Sequence, residues 1–198
     1  ILANNNVLVQ MSATRGQPGG YPDGGWPTQG YLTNRSTLYI NREPILILHE
    51  PAAHSDGDTL VMFRRSDVVV AGNIMDMTRF PVIDLVHGGS IDGEVDALDN
   101  LLQLAIGPAP FIYEYNGTYV IPGRGRVCDQ WEVVDYRDMM VIIRDTVADM
   151  MKHHMTLDQI QAADPAKAYE PRFGSKTGPW TTDMFIEAIY KSLAAKKK

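Results

Sequence analysis

The sequence predicts an α/β protein in which a β-sheet is layered with helices. Two observations carry this prediction. Residues 36–72 contain short apolar or alternating segments bounded by turn residues, as half-buried or buried strands are. Residues 129–155 keep the amphipathic spacing that is typical of one long helix. Because strands come mainly first, helices follow and no internal repeat is found, we expect a single layered domain over residues 1–198.

The beginning of the chain predicts a short helix and a long loop. Residues 2–13 carry four apolar residues and are predicted to be helical. Residues 15–35 are rich in Gly and Pro and include three aromatic residues, which predicts a loop. Since a loop of this length is usually functional or a linker, we expect a lid or a partner-binding arm.

Five strands are predicted in the middle of the chain. The segments "TLYIN" and "ILILHE" are separated by "REP", which predicts a hairpin. The segments "DTLVMFRR" and "DVVVAG" follow, joined by a turn around Ser66 and Asp67. A last short strand, "TYVIPG", leads into the Gly-rich turn "PGRGR".

Four helices complete the prediction. Residues 92–106 place apolar side chains on one face, and Asp92 is the expected N-cap. A long helix begins near Asp129, a shorter one is capped at Thr156, and residues 181–198 form the last. The expected buried side of the long helix consists of Trp131, Tyr136, Met139, Met140, Ile143, Val147 and Met151.

Composition and charge exclude several function classes. The formal net charge of −6 argues against nucleic acid or an anionic membrane surface as the main partner. Cys128 is the sole cysteine, so the chain has neither an internal disulfide nor a thiolate-rich zinc site. No apolar run approaches the roughly 20 residues of a transmembrane helix. The start at Ile1 leads us to expect a processed, exported chain (periplasmic or extracellular) or a fragment.

The acidic segment around His54 carries a possible metal signal. His54, Asp56 and Asp58 offer the imidazole and carboxylate groups that zinc accepts. The same letters, "HSDGD", are also typical of a turn in which Asp side chains cap backbone amides. The residues by themselves leave both interpretations open.

Two strand ends carry polar side chains that are candidates for a site. Asn73 follows "VVVAG", and Arg124 follows the Gly of "IPGRG". Asn73 is a poor zinc ligand, and a strand-terminal turn is its alternative role. Arg124 indicates contact with an anion or carboxylate, against the alternative of a surface arginine on a turn. Asp76 and His87, in the segment after the strand, are further cleft candidates.

In this order the segments resemble the metallo-β-lactamase fold superfamily. "HSDGDTLVMFRRSDVVVAGN" looks like its segment His-Thr-x-Gly-Asp, strand, strand, Gly-Asp. "YVIPGRGRVCDQWEVVDYRDMM" resembles a segment built on Ile-Pro-Gly-His-Gly in one branch of hydrolases, and "GPWTTDMFIEAIYKSL" is like its closing helix. The resemblance covers most of residues 40–195. It implies an αββα sandwich, of which mainly the second β-sheet half and its helices are present.

What the resemblance implies for the metal site is taken residue by residue. The family binds two zinc ions, and its first ligands come from a His-x-His-x-Asp-His motif that this chain does not contain. His54 matches a zinc-binding His of the family. Asn73 stands where the bridging Asp is expected, and Arg124 stands where the last zinc-binding His is expected. An amide lacks the bridging negative charge, and a guanidinium puts positive charge where a cation would bind. Zinc is therefore in doubt, and the site is expected to be degenerate.

Three functional alternatives follow from this resemblance. One is a catalytically silent structural or interaction subunit, in which Arg124 pairs with Asp58 or Asp76 in the vacated metal space. The second is a zinc-dependent hydrolase of ester- or amide-type bonds, with an unusual site completed by an N-terminal segment outside this chain. The third is a small-molecule binding module that uses the old cleft. Because the first half of the sandwich is missing, we also expect a protein partner or self-association to cover the exposed sheet face.

Overall fold

The chain is built around a five-stranded sheet that is preceded by a small parallel pair of strands. The structure is a computed structural model that describes residues 1–15, 20–109 and 116–196. Its first elements are β1 (Leu2–Asn4), α1 (Asn5–Ala13) and β2 (Gln29–Tyr31).

This N-terminal part differs from the prediction in two ways. The predicted helix over residues 2–13 is helical only from Asn5, because residues 2–4 pair in parallel with β2. The predicted loop over residues 15–35 is interrupted by a short 3-10 helix at Asp23–Gly25 and by β2. Three-residue strands have too few positions for a period to show, and their pairing depends on contacts distant in sequence. Residues 16–19 of the predicted loop lie outside the described residues.

The five strands of the main sheet lie side by side in chain order. They are β3 (Arg35–Ile40), β4 (Glu43–Glu50), β5 (Asp58–Phe63), β6 (Val68–Asp76) and β7 (Tyr119–Arg124). The first four are antiparallel neighbours, whereas β7 runs parallel to β6. The predicted β3–β4 hairpin is confirmed, and its turn residues Asn41 and Arg42 both have positive φ, as the twist of a tight hairpin requires.

The helices follow and partly interrupt this sheet. They are α2 (Ile91–Leu104), α3 (Gln130–Lys152), α4 (Leu157–Ala163), α5 (Glu170–Phe173) and α6 (Thr182–Ala195). The predicted start of the long helix near Asp129 is confirmed, and Asp129 is its N-cap; the predicted cap Thr156 is confirmed as well. The predicted cap Asp92 is wrong, because Ser90 accepts the first-turn backbone N–H instead. Helix α5 contains Pro171, which is tolerated because it lies in the first helical turn.

Helix α2 packs on the sheet, α3 and α6 pack against α2 and each other, and together these elements bury the main core. On α3, Tyr136, Met139, Met140, Ile143 and Val147 are buried as predicted. Trp131 is 61% exposed, so its predicted burial is wrong: it precedes Val133, the first residue of α3 to reach the core. No helix in the described ranges has the combination of length and apolar composition needed to cross a membrane.

The opposite face of the sheet is covered in part. Ile45 and Ile47 form a second apolar cluster there with Tyr31, which reaches over from β2. The Tyr31 hydroxyl also shares a 2.7 Å hydrogen bond with Thr59 of β5. On β7, by contrast, Tyr119 and Ile121 remain 41% and 37% exposed, whereas Val120 between them is fully buried in the main core. Among the described residues, the β7 side of this face is therefore less covered than the β4 side.

Candidate functional site

The ends of β6 and β7 are brought together by an irregular pairing. Gly72 pairs with Pro122 and Asp76 pairs with Arg124, with a register shift on each side. Between these two pairs β6 advances by four residues while β7 advances by two, so β6 forms a bulge. Within the bulge, Gly72 adopts a positive φ of 56°. Asn73 consequently lies within a strand that continues to Asp76, not in the strand-terminal turn considered from sequence.

This bulge opens a pocket with a volume of about 220 Å³. Four of the predicted site residues line it together: His54, Asn73, Asp76 and Arg124. Arg79 lines it as well and was missed by the sequence analysis. The sequence signal for Arg79 was weak, because its place depends on the turn that follows β6 rather than on a motif.

Asp76 is the electrostatic centre of the pocket. Its Oδ2 atom lies 3.0 Å from Nε of Arg79 and 3.9 Å from Nε of Arg124. Its Oδ1 atom accepts hydrogen bonds from the backbone N–H and the hydroxyl of Thr78, at 2.9 and 2.6 Å. The predicted pairing of Arg124 with Asp76 is thus a long contact, and the Arg124 side chain is 62% exposed. Asp76 itself is buried and fully occupied.

His54 is held at the pocket by a backbone group. Its Nδ1 atom donates a 2.6 Å hydrogen bond to the carbonyl oxygen of Val82. The other ring nitrogen, Nε2, takes no part in this hydrogen bond. A backbone carbonyl on one ring nitrogen fixes the orientation of the imidazole and the position of its proton.

The other predicted cleft candidates do not line this pocket. Asp58 accepts hydrogen bonds from the N–H and hydroxyl of Ser55 at 2.5 and 3.2 Å, which is the turn-capping role that its sequence also allowed. Burial raises the pKa of Asp58, against the opposing effects of the Ser55 N–H and His54. Asp56 bonds Gln10 of α1, and His87 pairs with Asp84 at 2.6 Å on the surface.

Solved structures share this arrangement of sheet and helices. The DIM-1 metallo-β-lactamase matches with a TM-score of 0.50 at 15% sequence identity, over 70% of this chain and 56% of the other. The BLEG-1 B3 metallo-β-lactamase matches with a TM-score of 0.52 at 18% identity, over 70% and 64%. The inverting sec-alkylsulfatase Pisa1 from Pseudomonas sp. matches with a TM-score of 0.56 at 12% identity, over 83% and 26%.

The chain has a metallo-β-lactamase fold. The predicted resemblance and fold class are thereby confirmed. The chain spans a little over half the length of the DIM-1 enzyme and about a quarter of the alkylsulfatase. No protein-family model matches the sequence. A search of the curated proteins also gives no match.

The pocket does not fit the zinc pair that this fold implies. Within the described ranges, no group of three or more His, Cys, Asp and Glu side chains is arranged to hold a metal ion. The pocket offers one imidazole, from His54, and one carboxylate, from Asp76, whose oxygens are already occupied by Thr78 and Arg79. Asn73 contributes a neutral amide and Arg124 a permanent positive charge. This donor set lacks both the number and the charge of ligands that two zinc ions require.

Cys128 is a buried core residue and not a nucleophile of this pocket. Its Sγ atom lies 3.5 Å from the carbonyl oxygen of Val120, and it is 4% exposed. Burial raises the pKa of the thiol to about 11. Since the thiolate is the reactive form, this environment keeps Cys128 inert.

Two buried carboxyl groups that do not line the pocket were also missed. Glu50 accepts a 2.8 Å hydrogen bond from Asn100, and burial raises its pKa to about 7. Glu94 is fully buried, and neither carboxyl oxygen has a hydrogen-bond partner among the described residues. Burial, and then the charge of Asp58, raises the pKa of Glu94 well above its usual value.

Proposed function

We propose that this chain is a catalytically silent member of the metallo-β-lactamase fold that acts as a structural or interaction subunit. The observation that carries the proposal is the pairing of two guanidinium groups, Arg79 and Arg124, with the single carboxylate of Asp76 in the pocket. A zinc pair would need anionic and neutral ligands there. Both guanidiniums would have to leave before a cation could approach Asp76.

Electrostatics make this arrangement adverse to metal binding. A guanidinium stays protonated at every physiological pH, so its charge cannot be removed to admit a cation. The repulsion between like charges is strong in a pocket that is partly shielded from water. Asn73 supplies no compensating negative charge at the position where the family resemblance expects the bridging carboxylate.

The open side of the sheet supports an interaction role. Tyr119 and Ile121 of β7 expose apolar surface next to the strip formed by Val68 and Val70 of β6, whereas Ile45 and Ile47 of β4 are covered on this face by Tyr31 and Leu2. A protein surface that docks on this strip would bury it. We propose a protein partner or a second copy of this chain as its occupant.

Metal analysis tests catalytic silence. The full chain is incubated with excess zinc, dialysed and analysed by inductively coupled plasma mass spectrometry. We expect zinc far below one ion per chain, and no difference between the wild type and His54→Ala. His153→Ala, which removes an exposed imidazole after α3, is the matched control. Stoichiometric zinc that is lost in His54→Ala and kept in His153→Ala would overturn the proposal.

Sedimentation velocity tests the self-association form of the interaction role. We expect a mass above that of the monomer at high concentration, abolished by Ile121→Glu and kept in Val127→Glu. Both residues are exposed apolar side chains, but only Ile121 lies in β7 on the open strip. A monomer at every concentration would exclude self-association on this face.

The second candidate function is a zinc-dependent hydrolase of ester- or amide-type bonds, with ligands supplied from outside this chain. One observation favours it: the hydrogen bond from His54 Nδ1 to Val82 leaves Nε2 as the nitrogen that could bind a metal. The same zinc analysis decides between the two functions.

A further inference from the structure

The pocket at the ends of β6 and β7 carries an excess of positive charge. Arg79 and Arg124 approach the same oxygen of Asp76, with Nε at 3.0 and 3.9 Å. Asp76 is the one acidic side chain that lines the pocket in the described part of the chain. Two guanidiniums share one carboxylate, so the described lining of the pocket keeps a net positive charge.

Several hydrogen-bond donors of the side chains that line the pocket are also unused. Arg79 donates its Nε–H to Asp76, and its two η nitrogens have no hydrogen-bond partner among residues 1–15, 20–109 and 116–196. The η nitrogens of Arg124 and the amide of Asn73 make no hydrogen bond in those ranges either. Unused donors that surround a cavity are the groups that a ligand would satisfy.

We propose that this pocket binds a small oxyanion, the phosphate, sulfate or carboxylate group of a small ligand. Guanidinium groups present paired N–H donors that match the oxygens of such groups. Arg124 and the η face of Arg79 hold the anion, and the Asn73 amide donates an additional hydrogen bond. The volume of about 220 Å³ is several times the roughly 30 Å³ of a water molecule in the liquid, which leaves room beyond the anionic group.

The net charge of the chain does not by itself attract anions. The protein has a formal net charge of −6, so its surface as a whole repels anions. Anion binding that survives this repulsion requires a local concentration of positive charge. In this pocket the position of the Asp76 carboxylate is fixed, because its side chain is 10% exposed and hydrogen-bonded to Thr78. The carboxylate holds Arg79 at 3.0 Å, whereas Arg124 lies at 3.9 Å with a side chain that is 62% exposed.

The inference rests on the proposed function, because a zinc ion would occupy the same pocket. The experiment therefore uses the full chain after treatment with a chelator and removal of the chelator. Isotope-labelled protein is titrated separately with inorganic phosphate, sulfate and acetate at constant ionic strength, and the Nε–Hε signals of the arginines are followed by NMR. Binding saturates in the wild type, and the anion with the lowest Kd identifies the preferred group.

Three variants locate the binding. Arg124→Gln raises the Kd about tenfold or abolishes saturation, as loss of one charge-assisted pair predicts. Arg79→Lys keeps the positive charge but loses the paired N–H donors of the guanidinium, so the Kd of this variant also rises. Arg126→Gln is the matched control, because Arg126 is bound to Glu132 outside the pocket, and its Kd equals that of the wild type. Absence of saturable binding for all three anions, or an Arg124→Gln variant that binds like the wild type, would overturn the inference.

Different outcomes would overturn the silent subunit and the oxyanion site. A chain that takes up neither zinc nor any of the three anions overturns the oxyanion site and leaves the silent subunit standing. A chain that takes up stoichiometric zinc through His54, and whose anion binding after chelation still depends on Arg124, overturns the silent subunit and supports the oxyanion site.

Discussion

Gly123 packs directly against the backbone of Gly72, so that a Cβ atom at position 123 would lie 2.5 Å from the carbonyl oxygen of Gly72. This contact sits where β6 bulges away from β7. It therefore sets how closely the two strands approach at the wall of the pocket. Asn73 and Arg124, the residues that follow each glycine, face the same opening as a consequence.

We expect Gly123→Ala to lower the free energy of unfolding by about 1–3 kcal/mol, because the added methyl group forces the strands apart. Urea unfolding followed by circular dichroism measures the change. Gly24→Ala is the control: a Cβ there has no neighbour within 4 Å, so its stability should equal or slightly exceed that of the wild type. Equal unfolding midpoints for Gly123→Ala and the wild type would contradict the close approach of β6 and β7.

Restoring two ligands should restore zinc affinity in part. In the Asn73→Asp, Arg124→His double variant, His54 is joined by a second imidazole and a carboxylate, and one guanidinium leaves Asp76. We expect zinc affinity, measured by competition with a chelating dye, to rise at least about tenfold, or about 1.4 kcal/mol.

The matched control for the restored site is Arg126→His, which adds an imidazole outside the pocket in the same turn. Its zinc affinity should equal that of the wild type. A double variant that binds zinc no better than this control would show that positions 73 and 124 are not metal positions.

Local patterns predicted most of the sheet and the long helix. The hairpin of β3 and β4 and the helix that begins after Asp129 each carry their own period and turn or cap residues, so their sequences specify them independently of the rest. Strands β1 and β2 were not predicted, because each has three residues and is stabilised by the other across 24 intervening residues, 5–28.

The site residues that belong to a sequence motif could be predicted, whereas those placed by tertiary contacts could not. His54, Asn73 and Arg124 were singled out by their position at turns and strand ends, and the fold brings them to one pocket. The roles of Arg79 and Glu94 depend on which neighbours the folded chain places around them. No local pattern distinguishes Arg79, paired with Asp76, from an ordinary surface arginine.

Glu50 should make stability fall as the pH rises. Its pKa is about 7 in the folded chain against 4.5 as the usual value, so the folded state binds more protons between these pH values. The favourable contribution of protonated Glu50 is complete below pH 4.5 and is lost as the pH rises through about 7. Glu50→Gln stays neutral and lacks this loss. The stability of the variant relative to the wild type should therefore grow from pH 4.5 to pH 8, by on the order of 3 kcal/mol.

Urea unfolding at a series of pH values measures this difference for Glu50→Gln and for a control, Glu187→Gln. Glu187 pairs with Lys191 on the surface of α6, where its side chain is 39% exposed. Its substitution should shift stability by a few tenths of a kcal/mol at all pH values. A Glu50→Gln difference as flat as that of Glu187→Gln would rule out the raised pKa of Glu50.

Glu94 should be a site where removing a polar group stabilises the protein. Its carboxyl group is fully buried and has no hydrogen-bond partner in the described chain, and it adjoins the buried Tyr136, whose pKa is raised by burial and by the charge of Glu94. Glu94→Met has a similar length and leaves no polar group unpaired. We expect an increase in the free energy of unfolding of about 1–3 kcal/mol at pH 8 and a smaller one at pH 5, because the raised pKa of Glu94 makes the wild type lose stability as the pH rises.

Two further variants separate desolvation from packing at position 94. Glu94→Gln removes the charge and keeps an unpaired polar group, so it should gain less than Glu94→Met. Glu187→Met makes the same replacement on the surface and should change stability by less than about 0.5 kcal/mol. If Glu94→Met were less stable than the wild type at both pH values, the Glu94 carboxyl would have to contribute a favourable interaction. Calorimetry at pH 5 and pH 8 distinguishes these outcomes, because a penalty from desolvation of the ionised carboxyl grows with pH and a packing defect does not.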